Sequence, residues 1–211
     1  MPRAIRKITI WSRARKTARG AANTDGTAAV EFALLLPVMI TLFFGVVESS
    51  MALICRSDVS LMAATAGDLI AQANTASTAD LSNIYSAAGT VLYPYYDPGA
   101  IGSQKPTIRI TAVNDDGSGA ASGNKLTGKV AWTCTQTGSG TLTPAARAAN
   151  ETVTLPQPLM TENGSVIIAE IAYSYASPTT KVITGPINFT NNFYAKPRRV
   201  QQLAAPTGGC P

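Results

Sequence analysis

Between Ala28 and Cys55 the chain carries only two charges, Glu31 and Glu48, and the stretch from Phe32 to Val47 carries none. As a helix these residues extend about 42 Å at ~1.5 Å per residue, against a hydrocarbon core of roughly 30 Å. A run of this length and polarity is too long for a strand, and it suits a membrane better than a water-facing surface. The rest of the chain is organised around it: a basic segment precedes it, and a polar, Thr- and Gly-rich segment of strand-like periodicity follows.

The charge distribution gives the run a direction. The net charge of +5 is concentrated before it, where Arg3, Arg6, Lys7, Arg13, Arg15, Lys16 and Arg19 face Asp25 alone. Residues 57–211 carry nine Lys/Arg and nine Asp/Glu and are balanced. A basic excess confined to one side of an apolar run is the positive-inside pattern, not the footprint of a nucleic-acid binder. It predicts a cytoplasmic N-terminus and a translocated C-terminal part. Ile5, Ile8, Ile10 and Trp11 could add one amphipathic turn against lipid, although topology alone accounts for the charges. There is no His, which removes the commonest general base and metal ligand. The three cysteines, Cys55, Cys134 and Cys210, have no zinc-like spacing. Outside the cytoplasm a disulfide is permitted, and Cys134–Cys210 is the expected pair because Cys55 lies at the membrane boundary.

Three residues stand out within the run. Glu31 sits at its cytoplasmic edge, where a carboxylate must be paired or reach the headgroups. Pro37 removes a backbone donor and crowds the carbonyl of Ala33, which membrane helices tolerate with a kink. Glu48 is the mirror of Glu31 at the outer edge, where solvation at the interface is the default expectation. A cleaved secretory signal ending near Ser50-Met-Ala52 is the competing reading. Glu31 inside its apolar region and Glu48 beside its cleavage site both oppose it.

Beyond the run, Met62, Ala66, Leu69, Ile70 and Ala73 keep a helical period. Ser77-Thr-Ala-Asp80 reads as a capping box, and Leu81, Ile84, Tyr85, Ala88, Val91 and Leu92 form an apolar helix face that ends at Pro94. From Lys105 the period changes to two. Ile108, Ile110 and Ala112 form one strand face, and Leu126, Val130, Trp132 and Cys134 the next. Ile167, Ala169, Ile171, Tyr173 and Tyr175 form a third, and Ile187, Phe189, Asn191 and Phe193 a weaker fourth. Asn114-Asp-Asp-Gly117 breaks the first strand, and residues 136–164 read as a long surface excursion. The sum is an α+β fold: a long N-terminal transmembrane helix, an amphipathic helix, and a small, mainly antiparallel sheet that the helices of residues 58–92 cover. The expected divisions are a leader over 1–26, a membrane helix over 27–56, a helical extension over 57–98 and a β-rich domain over 99–211.

The stretch Gly26-Thr-Ala-Ala-Val-Glu31-Phe32-Ala-Leu-Leu-Leu-Pro37 closely resembles the opening of TadE/TadG-like proteins, the pseudopilins of Flp-type (tight adherence) pilus systems. Gly45 and Glu48 match the family's later Gly and Glu, and Asn192-Phe-Tyr-Ala-Lys-Pro-Arg-Arg199 is similar to the ending of some members. The resemblance implies a pilin-like architecture and cleavage between Gly26 and Thr27 by a prepilin peptidase at the cytoplasmic face. The mature chain would then begin at Thr27, with Glu31 as its fifth residue, placed to neutralise the new amine of a neighbouring subunit. It further implies helix-register or assembly roles for Glu31, Phe32, Pro37 and Glu48. The implied partners are other pilins or pseudopilins, the peptidase and membrane lipid. The implied location is a bacterial inner membrane, single-pass, with the C-terminal domain periplasmic and at the pilus or cell surface after assembly.

No phosphate-binding glycine loop, H-E-x-x-H or G-x-S-x-G occurs, so the expectation is a non-enzyme without cofactor or metal. Asp115-Asp116 in a Gly-rich segment reads as a turn, not a calcium site. Asn150, Asn163 and Asn188 each begin an N-glycosylation pattern, which a Thr-rich chain produces by chance. Two functions follow: a membrane-inserted minor pilin or pseudopilin acting in assembly or at the tip of a Flp/Tad-type pilus, or a periplasmic binding module on a single-span anchor.

Overall fold

The structure is a computed structural model that describes residues 25–97, 104–117, 126–138, 143–144, 147–156, 158–208 and 210. The leader and its apolar turn at Ile5–Trp11 lie outside the described residues, as does the Gly/Ser-rich run from Ser118. By compactness the chain divides into Met1–Thr41 and Leu42–Pro211. The described part of the first unit is helical, and from Gly26 on its residues are exposed. It belongs to α1, Asp25–Ala71, which runs through Pro37. The Thr41 hydroxyl donates to the Pro37 carbonyl at 2.8 Å.

In the second unit α1 acquires a buried face. Ala52, Cys55, Val59, Met62, Ala63, Ala66 and Ile70 recur at helical spacing and are all buried. Leu69, expected on that face, lies at its margin and is exposed. The second helix, α2 (Thr78–Gly89), continues as a 3-10 turn over Thr90–Leu92. Its capping box forms as the sequence predicts. The Asp80 amide donates to Ser77 Oγ at 3.1 Å, and the Ser77 amide donates back to Asp80 Oδ2 at 3.0 Å. The Ser77 hydroxyl and amide together hold the Asp80 carboxyl below its ordinary range. Leu81, Tyr85, Ala88 and Leu92 form the buried face.

The strands are β1 (Thr107–Asn114), β2 (Thr127–Thr137), β3 (Thr143–Pro144), β4 (Thr152–Thr154), β5 (Ser165–Tyr175) and β6 (Ile187–Ala195). They form one antiparallel sheet of order β3-β2-β1-β5-β6, with β4 also paired to β2. The two helices cover one face, as expected. Met62, Ala66, Leu81 and Tyr85 share a core with Ile108, Ile110 and Ala112 of β1, Trp132 and Cys134 of β2, and Ile167 to Tyr175 of β5. Tyr85 crosses this core to donate its hydroxyl to the Cys134 carbonyl at 2.9 Å, and burial pushes its ionisation well up. α1 approaches β6 closely. A Cβ on Gly67 would stand 2.5 Å from the Phe193 ring, so only glycine fits without moving that ring.

Three expectations are corrected here. Residues 136–164 are not only a surface excursion, because Val153, Leu155 and Met160 are buried on the second face of the sheet. There they meet Val113, Val130, Val166 and Ile168. The sheet is therefore apolar on both faces over part of its area. Gly128 lets β2 lie against this cluster, since a Cβ there would meet Met160, Val113 and the Asn114 carbonyl at 2.6–2.8 Å. Val130 also does not share a face with Trp132. The β1/β2 register shifts between Ala112 and Val113, so Ala112 faces Trp132 while Val113 faces Val130, and Ala131 is the extra residue of a bulge. Crossing that bulge turns Val130 to the second core. Leu126, expected inside, precedes the strand and is half exposed.

The chain's last residues return to the helices. The Arg198 amide donates to the Ala71 carbonyl at 2.8 Å, and its guanidinium pairs with Asp68. Trp132 Nε1 donates to the Leu203 carbonyl at 3.1 Å, and Ser77 and Thr207 form a parallel bridge. Cys134 and Cys210 are joined by a disulfide with Cα atoms 5.5 Å apart, and Cys55 is free and buried. Asn150 and Asn163, read above as the starts of glycosylation patterns, both hold positive φ, a conformation that favours Asn in turns. The Asn163 amide donates to Asp115 Oδ2 at 3.0 Å, so Asp115 clamps two turns together.

Candidate assembly surface

The functional candidates lie along α1, and its environment changes along its length. Every large apolar side chain from Val30 to Phe43 is exposed, among them Phe32 at 59% and Leu34 at 72%. Such a continuous apolar surface is far larger than water tolerates on a soluble protein, and it requires lipid or protein cover. Gly26 and Thr27 occupy the first turn, and a Cβ added at Gly26 would meet nothing within 4 Å. Glu31 follows Thr27 by four residues, so the two lie on one side of the helix with Gly26 and Val30. Pro37 stands nearly two turns further on. Gly26, Thr27, Glu31, Phe32 and Pro37 are thus all accessible along the first turns of one helix.

Glu48 does not behave as the mirror of Glu31. Instead of being solvated at an interface it is fully buried in the second unit. Its Oε1 accepts the Lys181 amide at 2.8 Å and the Thr179 hydroxyl, and its Oε2 accepts the amides of Val182 at 3.1 Å and Ile183 at 2.6 Å. Three backbone N–H groups and a hydroxyl directed at one carboxylate favour its charged form and offset the cost of burial. The carboxylate therefore fastens the segment after β5 to α1. Removing it takes away the shared acceptor of three amides and a hydroxyl that converge on a buried position, and with it the contact that holds this segment to α1. Glu48→Ala is expected to speed proteolysis within residues 176–186. Glu48→Gln, which keeps one acceptor oxygen, should fall between it and the parent. Limited proteolysis with mass mapping checks the order, and equal rates for all three would refute the fastening role.

Residues 26–68 match the TadE-like protein family. The match begins at Gly26 and ends at Asp68, so it lies wholly inside α1 and reaches neither α2 nor the sheet. It points to the Tad pilus systems. Among curated proteins and solved structures, none matches the chain. The TadE-like segment contains both the accessible turns around Glu31 and the buried Glu48.

Two polar arrangements escape the residue patterns. Most donors to Glu48 are backbone amides, which no side-chain motif announces. The only trace of the arrangement is a carboxylate at an otherwise apolar position. On the second face of the sheet, Glu170 stands between Arg147, at 2.7 Å, and Arg109, at 3.5 Å. All three are partly exposed, and Arg147 enters from the Thr/Ala-rich stretch before β4. Among the described residues no group of three or more His, Cys, Asp or Glu could hold a metal ion.

Proposed function

We propose that the protein is a membrane-anchored pseudopilin or minor pilin that acts in the assembly, or at the tip, of a type IV pilus of the Flp/Tad class. The observation that carries this reading is the exposed apolar helix of the TadE-like segment, with Gly26, Thr27 and Glu31 on one side of its first turns. In this reading residues 1–26 are a cytoplasmic leader and the apolar part of α1 spans the inner membrane. The α2/β-sheet unit then lies in the periplasm. A prepilin peptidase cuts between Gly26 and Thr27 and leaves an ammonium group on Thr27. Gly26 suits such a cut because it lacks a Cβ and lowers the cost of opening the first helical turn. The partners are other pilins or pseudopilins of the same machine.

The mature N-terminus tests this proposal. Expressed with its own peptidase, the chain is expected to lose residues 1–26, and Gly26→Leu is expected to keep them, as read by intact mass. Trimming of Gly26→Leu to Thr27 would overturn the cleavage assignment. An uncut parent chain would favour a periplasmic binding module on a single-span anchor, and loss up to about Ala52 would indicate a signal peptide.

A further inference from the structure

We infer that the end of the folded unit around Glu48 is a lipid-binding surface, seated in the interfacial layer of the bilayer that α1 spans. This rests on the membrane reading of α1. A cavity of about 360 Å³ opens there between Met51 of α1, Pro94 and Tyr95 after the 3-10 turn, and Tyr173, Ala176 and Pro178 at the end of β5. Tyr93, next to Pro94 in the chain, is exposed at 70%, and so are Lys181 and Val182 (the latter at 45%), whose amides bond to Glu48 three residues before Met51. On the outer side of α1, Leu53 and Ile54 are also exposed and carry the apolar surface past Glu48.

The position along α1 decides what covers this surface. Residues 28–47 are free of charge apart from Glu31 near their start. At ~1.5 Å per residue they extend about 30 Å, the thickness of the hydrocarbon core. Met51 then stands about 6 Å beyond the core, and the headgroup layer on each side is itself roughly 5–7 Å deep. Tyr93 with its exposed ring and polar tip, prolines without a backbone donor, and a lysine that can reach lipid phosphate are side chains this layer accepts, while the hydroxyls of Tyr95 and Tyr173 are taken up by the carbonyls of Met51 and Tyr95. The fastening of Glu48 acquires a reason at this depth. A carboxylate at the edge of hydrocarbon is costly, and residues 179–183 supply it with four donors while bringing Lys181 and Val182 to the same level. Ala79, exposed in the first turn of α2 just past the far end of α1, provides the contrast. From Met51 to Ala71 the helix runs about 30 Å.

Single cysteines at Val182, Ala79 and Leu36 of the full chain, each carrying a small fluorophore, test the inference. Cys55 is buried and the other two cysteines are bonded to each other, so the added thiol takes the label. The proteins are placed in vesicles of phosphatidylethanolamine and phosphatidylglycerol that contain nitroxide lipids, with the quencher near the headgroup or near the chain end. The expected result is loss of Val182 fluorescence with the shallow quencher and of Leu36 fluorescence with the deep one, with Ala79 unaffected by either. Quenching at Leu36 with Val182 as insensitive as Ala79 would overturn the interfacial seating while leaving the anchor standing. Absence of quenching at Leu36 would overturn the membrane reading of α1, and the seating with it.

Discussion

Cells expressing Glu31→Ala or Glu31→Gln in place of the parent chain are expected to lose surface pili almost completely while keeping normal amounts of correctly trimmed protein in the membrane. Glu31 is exposed one helical turn from Thr27. Removing its charge from the edge of an apolar run leaves insertion unharmed or slightly easier. Cleavage should survive, because the proposed cut lies at Gly26, five residues before Glu31, and that sequence is unchanged. On the proposed reading the loss falls on assembly, where the carboxylate of one subunit would meet the new amine of another in a medium of low dielectric constant, an attraction that is strong only when the two meet. Gln keeps the shape and removes the charge, so it separates pairing from packing. Membrane content, mature mass, pull-down of partner pilins and pilus counts together read the outcome. Normal piliation with both variants would reduce Glu31 to an acid that reaches the headgroups.

The second large effect is expected from Cys134→Ser and from Cys210→Ser. The bond closes a sequence separation of 76 residues, and its loss should lower the unfolding free energy by roughly 4 kcal/mol on the chain-entropy account. It ties β2 to the end of a segment that also covers Trp132 and bridges to Ser77. Both substitutions should therefore free the same terminal segment. Urea unfolding of the full chain in detergent measures the loss, and agreement between the two variants shows that it comes from the bond and not from the buried site of Cys134. In intact cells a membrane-impermeant thiol reagent should find both cysteines blocked until they are reduced and exposed. A change under about 1 kcal/mol, or ready labelling without reductant, would count against an oxidised, translocated domain.

What could be read from the sequence was local or strictly periodic. The Ser77/Asp80 box is legible because its partners are three residues apart, and β5 because five alternating apolar residues share one buried face. The helix cover over the sheet follows from both. The face of Val130 was not legible, because one unpaired residue at Ala131 changes side-chain parity and depends on the partner strand. Val153 and Leu155 alternate with Thr152 and Thr154, a period-two signal diluted by the polar residues around it. Glu48 was visible as an anomaly, but its partners lie more than 130 residues away and bind mainly through backbone atoms.

The double environment of α1 fixes where this protein can be cut. A soluble fragment begun at Ser57, where the chain turns polar, would discard Glu48, Ala52 and Cys55. It would open a trough along the sheet and leave the amides of residues 181–183 facing it unbonded. A fragment begun at Leu42 keeps the second compact unit whole and removes most of the exposed apolar helix. The same boundary governs hybrids: an anchor taken from another protein should be joined before Leu42, so that the sheet keeps the half of the helix that completes its core.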